Sequence, residues 1–203
     1  MKKNKFSKNW IIKQKRDIYV RQSKAEGYKS RAVYKLQEIN DKFNILKNGI
    51  SVVDLGAAPG SWSQFISRKF KNSKIVSIDI KEMDSINNTF QIKGDFTDES
   101  QQKKIIKYFK DKIDIVVSDM AVNTTGNKNL DSLVTGELCI EAFNFACKTL
   151  KKDGRFISKL FMGSSFNEIV AIAKKKFKEV HIFKPPSSRK DSKESFIICK
   201  NLK

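Results

Sequence analysis

Four charged side chains, Asp119, Lys159, Glu194 and Lys35, have types and positions that could do chemistry. Asp119 follows the apolar run Ile113-Asp114-Ile115-Val116-Val117-Ser118, and Lys159 ends the run Arg155-Phe156-Ile157-Ser158. Glu194 opens the run Ser195-Phe196-Ile197-Ile198-Cys199, and Lys35 lies in a stretch with helical spacing. A strand entering a buried crevice excludes a charge unless the charge is paired. Each of the four alone would more often be a surface charge. Two amines and two carboxylates, once brought together by a fold, can align a substrate and move a proton. A lysine accepts a proton only when its pKa is lowered. A second cation such as Lys35 lowers it, whereas Asp119 and Glu194 pull the other way, so the carboxylates orient the two lysines. Such a set titrates as a unit.

A second feature shows what these groups would act beside. Val52-Val53-Asp54-Leu55-Gly56-Ala57-Ala58-Pro59-Gly60-Ser61-Trp62 reads as a buried strand, a tight glycine turn and the start of a helix. Gly56 and Gly60 let the backbone turn sharply and leave it bare enough for a ligand to approach. Cofactors sit over such crevices, at the carboxyl ends of parallel strands. The chain has no G-x-G-x-x-G cradle for a dinucleotide and no G-K-[ST] for a triphosphate. An acid just before a turn of the form G-A-A-P-G resembles motif I of the S-adenosylmethionine (SAM)-dependent methyltransferases. Lys74-Ile75-Val76-Ser77-Ile78-Asp79 then ends in an acid about twenty residues after the turn, where a carboxylate commonly accepts hydrogen bonds from a ribose diol. Asp95 follows the strand-like Phe90-Gln91-Ile92-Lys93-Gly94 and could accept from an adenine amino group. Either acid could instead be a solvated strand end or a helix N-cap.

With SAM as donor, the residues after the fourth strand discriminate between acceptors. Amino-methylating enzymes place Asn/Asp-Pro-Pro-aromatic there, whereas this chain has Ser118-Asp119-Met120-Ala121. Cytosine C5 methylation needs a nucleophilic cysteine, usually after a proline, but Leu138, Ala146 and Ile198 precede Cys139, Cys147 and Cys199. Oxygen is left as the acceptor. Lys35 in S-R-A-V-Y-K-L, Asp119 in S-D-M-A, Lys159 in S-K-L-F and Glu194 in S-K-E-S-F resemble the K-D-K-E tetrad of ribose 2′-O-methyltransferases. From about Trp10 to Lys200 the chain resembles the FtsJ/RrmJ-type family of 23S ribosomal RNA (uridine-2′-O)-methyltransferases. D-L-G-A-A-P-G-S-W-S-Q, S-D-M-A-x-N-x-x-G and K-P-x-S-S-R-x-x-S-x-E complete the likeness. Ser61 stands where many relatives have glycine, and Val122 where many have proline.

The resemblance implies SAM contacts by Gly60, Trp62, Asp79, Asp95 and Asp119, with Lys35, Asp119, Lys159 and Glu194 as the catalytic set and Lys159 as proton acceptor. It implies a uridine ribose in the peptidyl-transferase region of the large ribosomal subunit as substrate, and a monomeric, metal-free, cytoplasmic enzyme. Two other readings stay open at this point: a 2′-O-methyltransferase of tRNA or a capped messenger end, and an rRNA-binding assembly factor that holds SAM only as a ligand.

The positioning elements follow from periodicity. Strands are predicted near 51–54, 74–79, 89–93, 113–118, 154–160, 178–183 and 194–200, and helices near 61–70, 98–110, 131–150 and 164–177. Val33, Leu36, Ile39 and Phe43 share one face of a further helix, with Ser30 as its predicted N-cap. Alternation of this kind implies a Rossmann-like α/β fold, with a mostly parallel seven-stranded sheet covered on both faces. Only Lys184-Pro185-Pro186-Ser187-Ser188-Arg189-Lys190 separates the last two strands, so the final one should run antiparallel. Residues 1–28 read as a basic arm with little core-forming pattern, and residues 29–203 as one domain.

Composition fits these readings. The 203 residues carry 41 Lys+Arg against 22 Asp+Glu, a formal net charge of +19. Residues 1–31 hold 11 of the cations and 2 of the acids, among Trp10, Tyr19 and Tyr28, a pattern that attracts nucleic acid. Lysine outnumbers arginine 35 to 6, a general drift that inflates the total but does not explain its concentration in the arm. The three cysteines fit neither a zinc pattern nor a disulfide framework. His181, flanked by Val180 and Ile182, reads as structural. No apolar run approaches the ~20 residues that span a bilayer, and the basic N-terminus lacks the apolar core of a secretory signal.

Overall fold

The computed structural model describes residues 17–121, 128–162 and 165–203. Val122 and residues 1–16 of the basic arm, Trp10 included, lie outside the described residues. Seven strands form one sheet: β1 (Ser51–Leu55), β2 (Lys74–Asp79), β3 (Thr89–Lys93), β4 (Ile113–Ser118), β5 (Leu150–Phe161), β6 (Phe177–Phe183) and β7 (Glu194–Leu202). Their order is β3-β2-β1-β4-β5-β7-β6. The first five pair in parallel, and β7 inserts antiparallel between β5 and β6. The order reverses direction between β1 and β4, so a crevice opens at their carboxyl ends.

Strand alternation divides the core in two. Val53, Leu55, Val76, Ile78, Val116, Phe156 and Ile197 face one side. There they meet Ile105 and Phe109 of α4 (Glu99–Phe109), Phe143 and Ala146 of α5 (Lys128–Thr149) and Ile169 of α6 (Phe166–Lys176). Val52, Ile75, Ile115, Val117, Ile157, Phe196 and Ile198 face the other. They pack on Val33, Leu36 and Ile39 of α2 (Val33–Phe43) and on Trp62, Phe65 and Ile66 of α3 (Ser61–Lys69). Each fully buried Ile or Phe contributes about 1.5–3 kcal/mol relative to exposure. The alternation also aims the charged residues. Lys159 shares parity with Ile157, and Glu194 with Phe196 and Ile198, so both fall on the face that α2 covers.

The structure departs from the sequence reading at three places. Part of the supposed arm is a helix, α1 (Ile18–Ala25), with Asp17 as N-cap accepting from the Tyr19 and Val20 amides at 3.1 and 3.4 Å. Tyr19 and Tyr28 rest against the core, and Arg68 stacks 4.9 Å from the Tyr28 ring centre. Ser30 does not cap α2, which begins at Val33 after an uncapped Ala32. Its hydroxyl instead accepts from the Ala32 amide and bonds the Ser61 hydroxyl at 2.7 Å. That contact gives the serine at the glycine position a buried partner. Strand β5 begins at Leu150, before Gly154, because Leu150 pairs with Ile113 ahead of a register shift. No helix among the described residues is long and apolar enough to cross a membrane.

The turn after β1 is tightly constrained. Gly56 has φ +66°, and a Cβ there would lie 2.0 Å from Met120 Cγ. The bare backbone at Gly56 is thus filled by a neighbour across the β1–β4 crevice. Beneath the turn Asp54 is 1% exposed. Its carboxylate accepts from the Ser63 amide (3.1 Å) and hydroxyl (2.7 Å) in the first turn of α3. Burial pushes the Asp54 carboxyl up to about 7, the Ser63 bonds oppose the rise, and Asp119 and Asp79 add to it.

Gly56→Ala should cost about 2 kcal/mol or more through left-handed strain and overpacking, lowering the thermal midpoint by roughly 4–8 °C. An unchanged midpoint in calorimetry would show that Met120 swings aside freely. For Asp54 the folded pKa lies above the unfolded one, so ionising it destabilises the fold as pH rises from about 4 to about 7. Asp54→Asn should therefore be more stable than wild type at pH ~8, by up to a few kcal/mol. That advantage should shrink toward pH ~4 in paired denaturation curves.

Candidate active site

Two clefts flank the ion pair of Asp119 with Lys35. The first, of about 460 Å³, opens at the carboxyl ends of β1–β4 and is lined by Gly56, Ala58, Asp79, Ile80, Gly94, Asp95, Phe96, Asp119, Met120 and Leu138 among others. Asp79 is held by its own turn: Oδ2 accepts from the Ala58 amide at 2.9 Å and Oδ1 from the Lys81 amide at 2.8 Å. A carboxylate has about four acceptor positions, so two remain for a diol. Asp95 turns Oδ1 toward the Thr97 amide and hydroxyl at 2.9 and 2.8 Å, leaving Oδ2 for a donor. Ile80, Phe96 and Leu138 supply apolar wall. Anchored acceptors beside an apolar wall fit an adenosyl group.

The second cleft, of about 420 Å³, lies on the α2 side and is lined by Ser30, Arg31, Ala32, Lys35, Arg189, Asp191, Ser192 and Glu194. One ion-pair system and one set of hydrogen bonds build it. Arg31 pairs with Asp17 and donates to the Ser187 carbonyl, and Arg189 Nε lies 3.8 Å from Asp17. Glu38 accepts from the Ser187 amide at 2.9 Å and its hydroxyl at 2.7 Å, fastening the β6–β7 loop to α2.

The four predicted charges lie between the clefts and touch one another. Lys159 Nζ lies 2.7 Å from Asp119 Oδ1 and donates to the Asp119 carbonyl at 2.7 Å. Lys35 Nζ reaches both Asp119 oxygens at 3.3 Å and Glu194 Oε2 at 3.1 Å. The side chains are 8% (Lys159), 12% (Lys35), 17% (Asp119) and 11% (Glu194) exposed, so the charges balance out of bulk water. Burial works against ionised Lys35, but Asp119 and Glu194 outweigh it and hold the ammonium above its ordinary value. Burial likewise opposes an ionised Asp119, but Lys159 and then Lys35 draw its carboxyl below the ordinary range. Lys35 therefore stays charged as pH rises past its usual pKa, and Asp119 loses its charge only as pH falls below the usual carboxylate range.

Gly60 and Trp62 lie at the start of α3. Neither lines the first cleft. Trp62 is 3% exposed, donates from Nε1 to the Ala32 carbonyl at 2.7 Å and packs 5.8 Å from the Phe196 ring centre. It supports the strand segment behind Lys35 and Glu194. Gly60, at φ +100°, leaves space that Ile86 fills, since a Cβ there would lie 2.4 Å from Ile86 Cδ1. Sequence reasoning overlooked Arg31, Glu38 and Asp17. The one available signal was the i, i+4, i+7 spacing of Arg31, Lys35 and Glu38, of which Lys35 and Glu38 lie on α2 and Arg31 just precedes it. Cys139, Cys147 and Cys199 are free thiols, and burial pushes Cys139 up to about 11. Among the described residues no group of His, Cys, Asp and Glu is placed to hold a metal ion.

Comparison with known proteins agrees with this architecture. Residues 28–202 match the FtsJ-like methyltransferase family. The chain is 67% identical over 203 residues to the "Ribosomal RNA large subunit methyltransferase E" of Pelagibacter ubique (strain HTCC1062), covering 100% of both chains. It is 42% identical over 201 residues to the protein of that name from Brucella ovis, covering 97% of this chain and 84% of the other. A solved Plasmodium falciparum structure, described as a ribosomal RNA methyltransferase, superposes with a TM-score of 0.77 at 35% identity, over 86% of this chain and 98% of that one. Matched by the family over most of its length and by a relative from end to end, this chain belongs to the FtsJ-like methyltransferase family.

Proposed function

We propose that the protein transfers a methyl group from SAM to the 2′-hydroxyl of a uridine in 23S ribosomal RNA, on the large ribosomal subunit. The observation that carries this reading is the position of Asp119. It lines the adenosyl-sized cleft on one side and is ion-paired on the other to Lys35, which lines the arginine-flanked cleft. Donor and acceptor would approach the same four charges from opposite sides. The names of the Pelagibacter and Brucella relatives supply the substrate class.

Bound SAM supplies an electrophilic methyl on a sulfonium. Asp79 and Asp95 offer acceptors to the ribose diol and adenine amino group, and the walls around them exclude water. Arg189, the more exposed of the two arginines lining the second cleft, is the phosphate partner, and arginine suits that task because its fork matches phosphate oxygens. A ribose hydroxyl is a weak nucleophile, so alignment and proton removal dominate the barrier. Lys35, held protonated between two carboxylates, is unsuited to accept that proton and can instead fix the hydroxyl. Lys159 takes it on Nζ, and Asp119 steadies the ammonium that results. No residue forms a bond to substrate.

Asp79→Ala should weaken SAM binding roughly 5- to 150-fold, the loss expected when buried polar partners are left unsatisfied. Unchanged affinity in calorimetry would move the ribose elsewhere in the cleft. Lys159→Ala should keep the fold and SAM affinity yet lower turnover ~10²–10⁴-fold. Lys159→Arg should not restore it, because guanidinium stays protonated. Near-normal turnover by the arginine variant would remove Lys159 as proton acceptor. Tritium transfer from labelled SAM to large subunits, free rRNA and tRNA, assayed in parallel, tests the substrate. Large subunits should be labelled best, and preferential labelling of tRNA would overturn the reading.

A further inference from the structure

Far from both clefts, at the opposite end of the sheet, a basic pocket of about 780 Å³ contains two exposed aromatic rings. Phe90 of β3 and Tyr108 of α4 stack with ring centres 4.8 Å apart and planes 4° from parallel. They remain 42% and 39% exposed. Two rings serving only to seal a sheet edge would be driven further under cover, since aromatic burial is their main contribution to stability. Phe70 adds a third ring to the lining, and the other residues are polar or cationic, including Lys71, Asn72, Lys74 and Asn88, with no acid. Lys71 and Lys74 are exposed and make no ion pair among the described residues.

The chain around the pocket is strongly biased. Ser67 to Ile78 holds four cations (Arg68, Lys69, Lys71 and Lys74) and no acid. Gln101 to Lys110, the segment carrying Tyr108, also holds four (Lys103, Lys104, Lys107 and Lys110) and no acid. Parallel aromatic faces, side-chain amides and unpaired lysines are the parts that hold an unstacked nucleotide: the ring stacks on the base, an amide can meet its edge, and ammonium groups hold the phosphates. An acidic peptide would use the lysines but leave the stacked rings idle. A wholly apolar partner would leave the lysines unpaired.

We propose that this pocket is a second RNA contact, which takes an unpaired nucleotide and its flanking phosphates from the substrate RNA. The proposal rests on the RNA reading above and adds to it a site remote from the chemistry. Lys74 and Thr89 open β2 and β3, whose far ends reach the cofactor cleft, a separation of roughly 17–20 Å along a strand. An RNA held at both ends of the sheet wraps its β3 edge, so the distal pocket sets affinity and register while the tetrad sets rate.

The test uses the full chain and a fluorescein-labelled oligouridylate, with binding followed by anisotropy over a series of salt concentrations and no SAM present. Tyr108→Ala should weaken binding roughly 5- to 100-fold. The double variant Lys71→Gln, Lys74→Gln should lower the salt slope by about 1.4, near 0.7 per lost phosphate contact on a single strand. Both should keep wild-type SAM affinity, and on large subunits both should raise KM with kcat unchanged. A 4-thiouridine oligonucleotide should cross-link to the peptide containing Tyr108. Unchanged affinity and slope in both variants would overturn the proposal. So would concentration-dependent self-association of the wild type that Tyr108→Ala abolishes, which would make the patch a contact between copies of this chain. Because binding is read without turnover, weakened binding in a protein that fails to methylate RNA would refute the function and leave the pocket standing.

Discussion

Two ammonium groups and two carboxylates sit together at the edge of the core, and the rest of the molecule is arranged so that none of them is alone. Removing one partner from such a set leaves an uncompensated charge out of water, typically a loss of 3–5 kcal/mol. The set holds together because four elements converge on it. The end of β5 brings Lys159, the start of β7 brings Glu194 and α2 brings Lys35, while Asp119 follows β4. The antiparallel insertion of β7 matters most here. In the β5–β7 register Lys159 lies opposite Phe196 and Phe161 opposite Glu194, so a lysine and a glutamate fall on one face two positions apart. A parallel seventh strand would put its carboxyl end, not its first residue, at the crevice.

Around that cluster lies a second layer of contacts that sets the shape of the substrate side. Glu38 grips Ser187, Arg31 joins Asp17 to the Ser187 carbonyl, and Trp62 bonds Ala32 while packing on Phe196. Lys35 cannot shift without disturbing α2, and α2 cannot shift without releasing the β6–β7 loop that carries Arg189. Positioning residues of this kind hold their groups by packing and hydrogen bonds, which rigid elements supply better than free loops. Helix α1 belongs to this layer, through Asp17, although the sequence around it looks like a solvated basic arm.

The sheet was legible in the sequence because its signals are local: β-branched runs ended by acids, glycine at the turn, and a short Pro-Pro connection that forbids a crossover helix. The tetrad was legible because four unusual positions matched a known constellation, and the structure brings them within hydrogen-bonding distance. What escaped notice depends on long-range contact. Asp17 and Arg31 are fourteen residues apart and Glu38 and Ser187 one hundred and forty-nine apart, so no local pattern predicts their pairing. Helix α1 has no apolar stripe and is held by two tyrosines and an N-cap, which is why periodicity missed it. Trp62 and Gly60 carry the motif likeness, and their packing on Phe196 and around Ile86 was likewise not legible from local pattern.

The site also shows how little covalent machinery methyl transfer to a hydroxyl requires. The donor arrives activated, so the protein's work is to bring a weak nucleophile into line and take its proton. Both tasks favour a preorganised cluster over a single reactive residue. A balanced set of four charges is suited to this. It costs less to bury than an isolated lysine, and it directs donors and acceptors along fixed lines. The same balance divides the labour. Lys35, between two carboxylates, is the fixed cation. Lys159 contacts the carboxylate and carbonyl of Asp119. The asymmetry in carboxylate contacts, two for Lys35 and one for Lys159, is the observation on which the proposed division of roles between the two lysines rests.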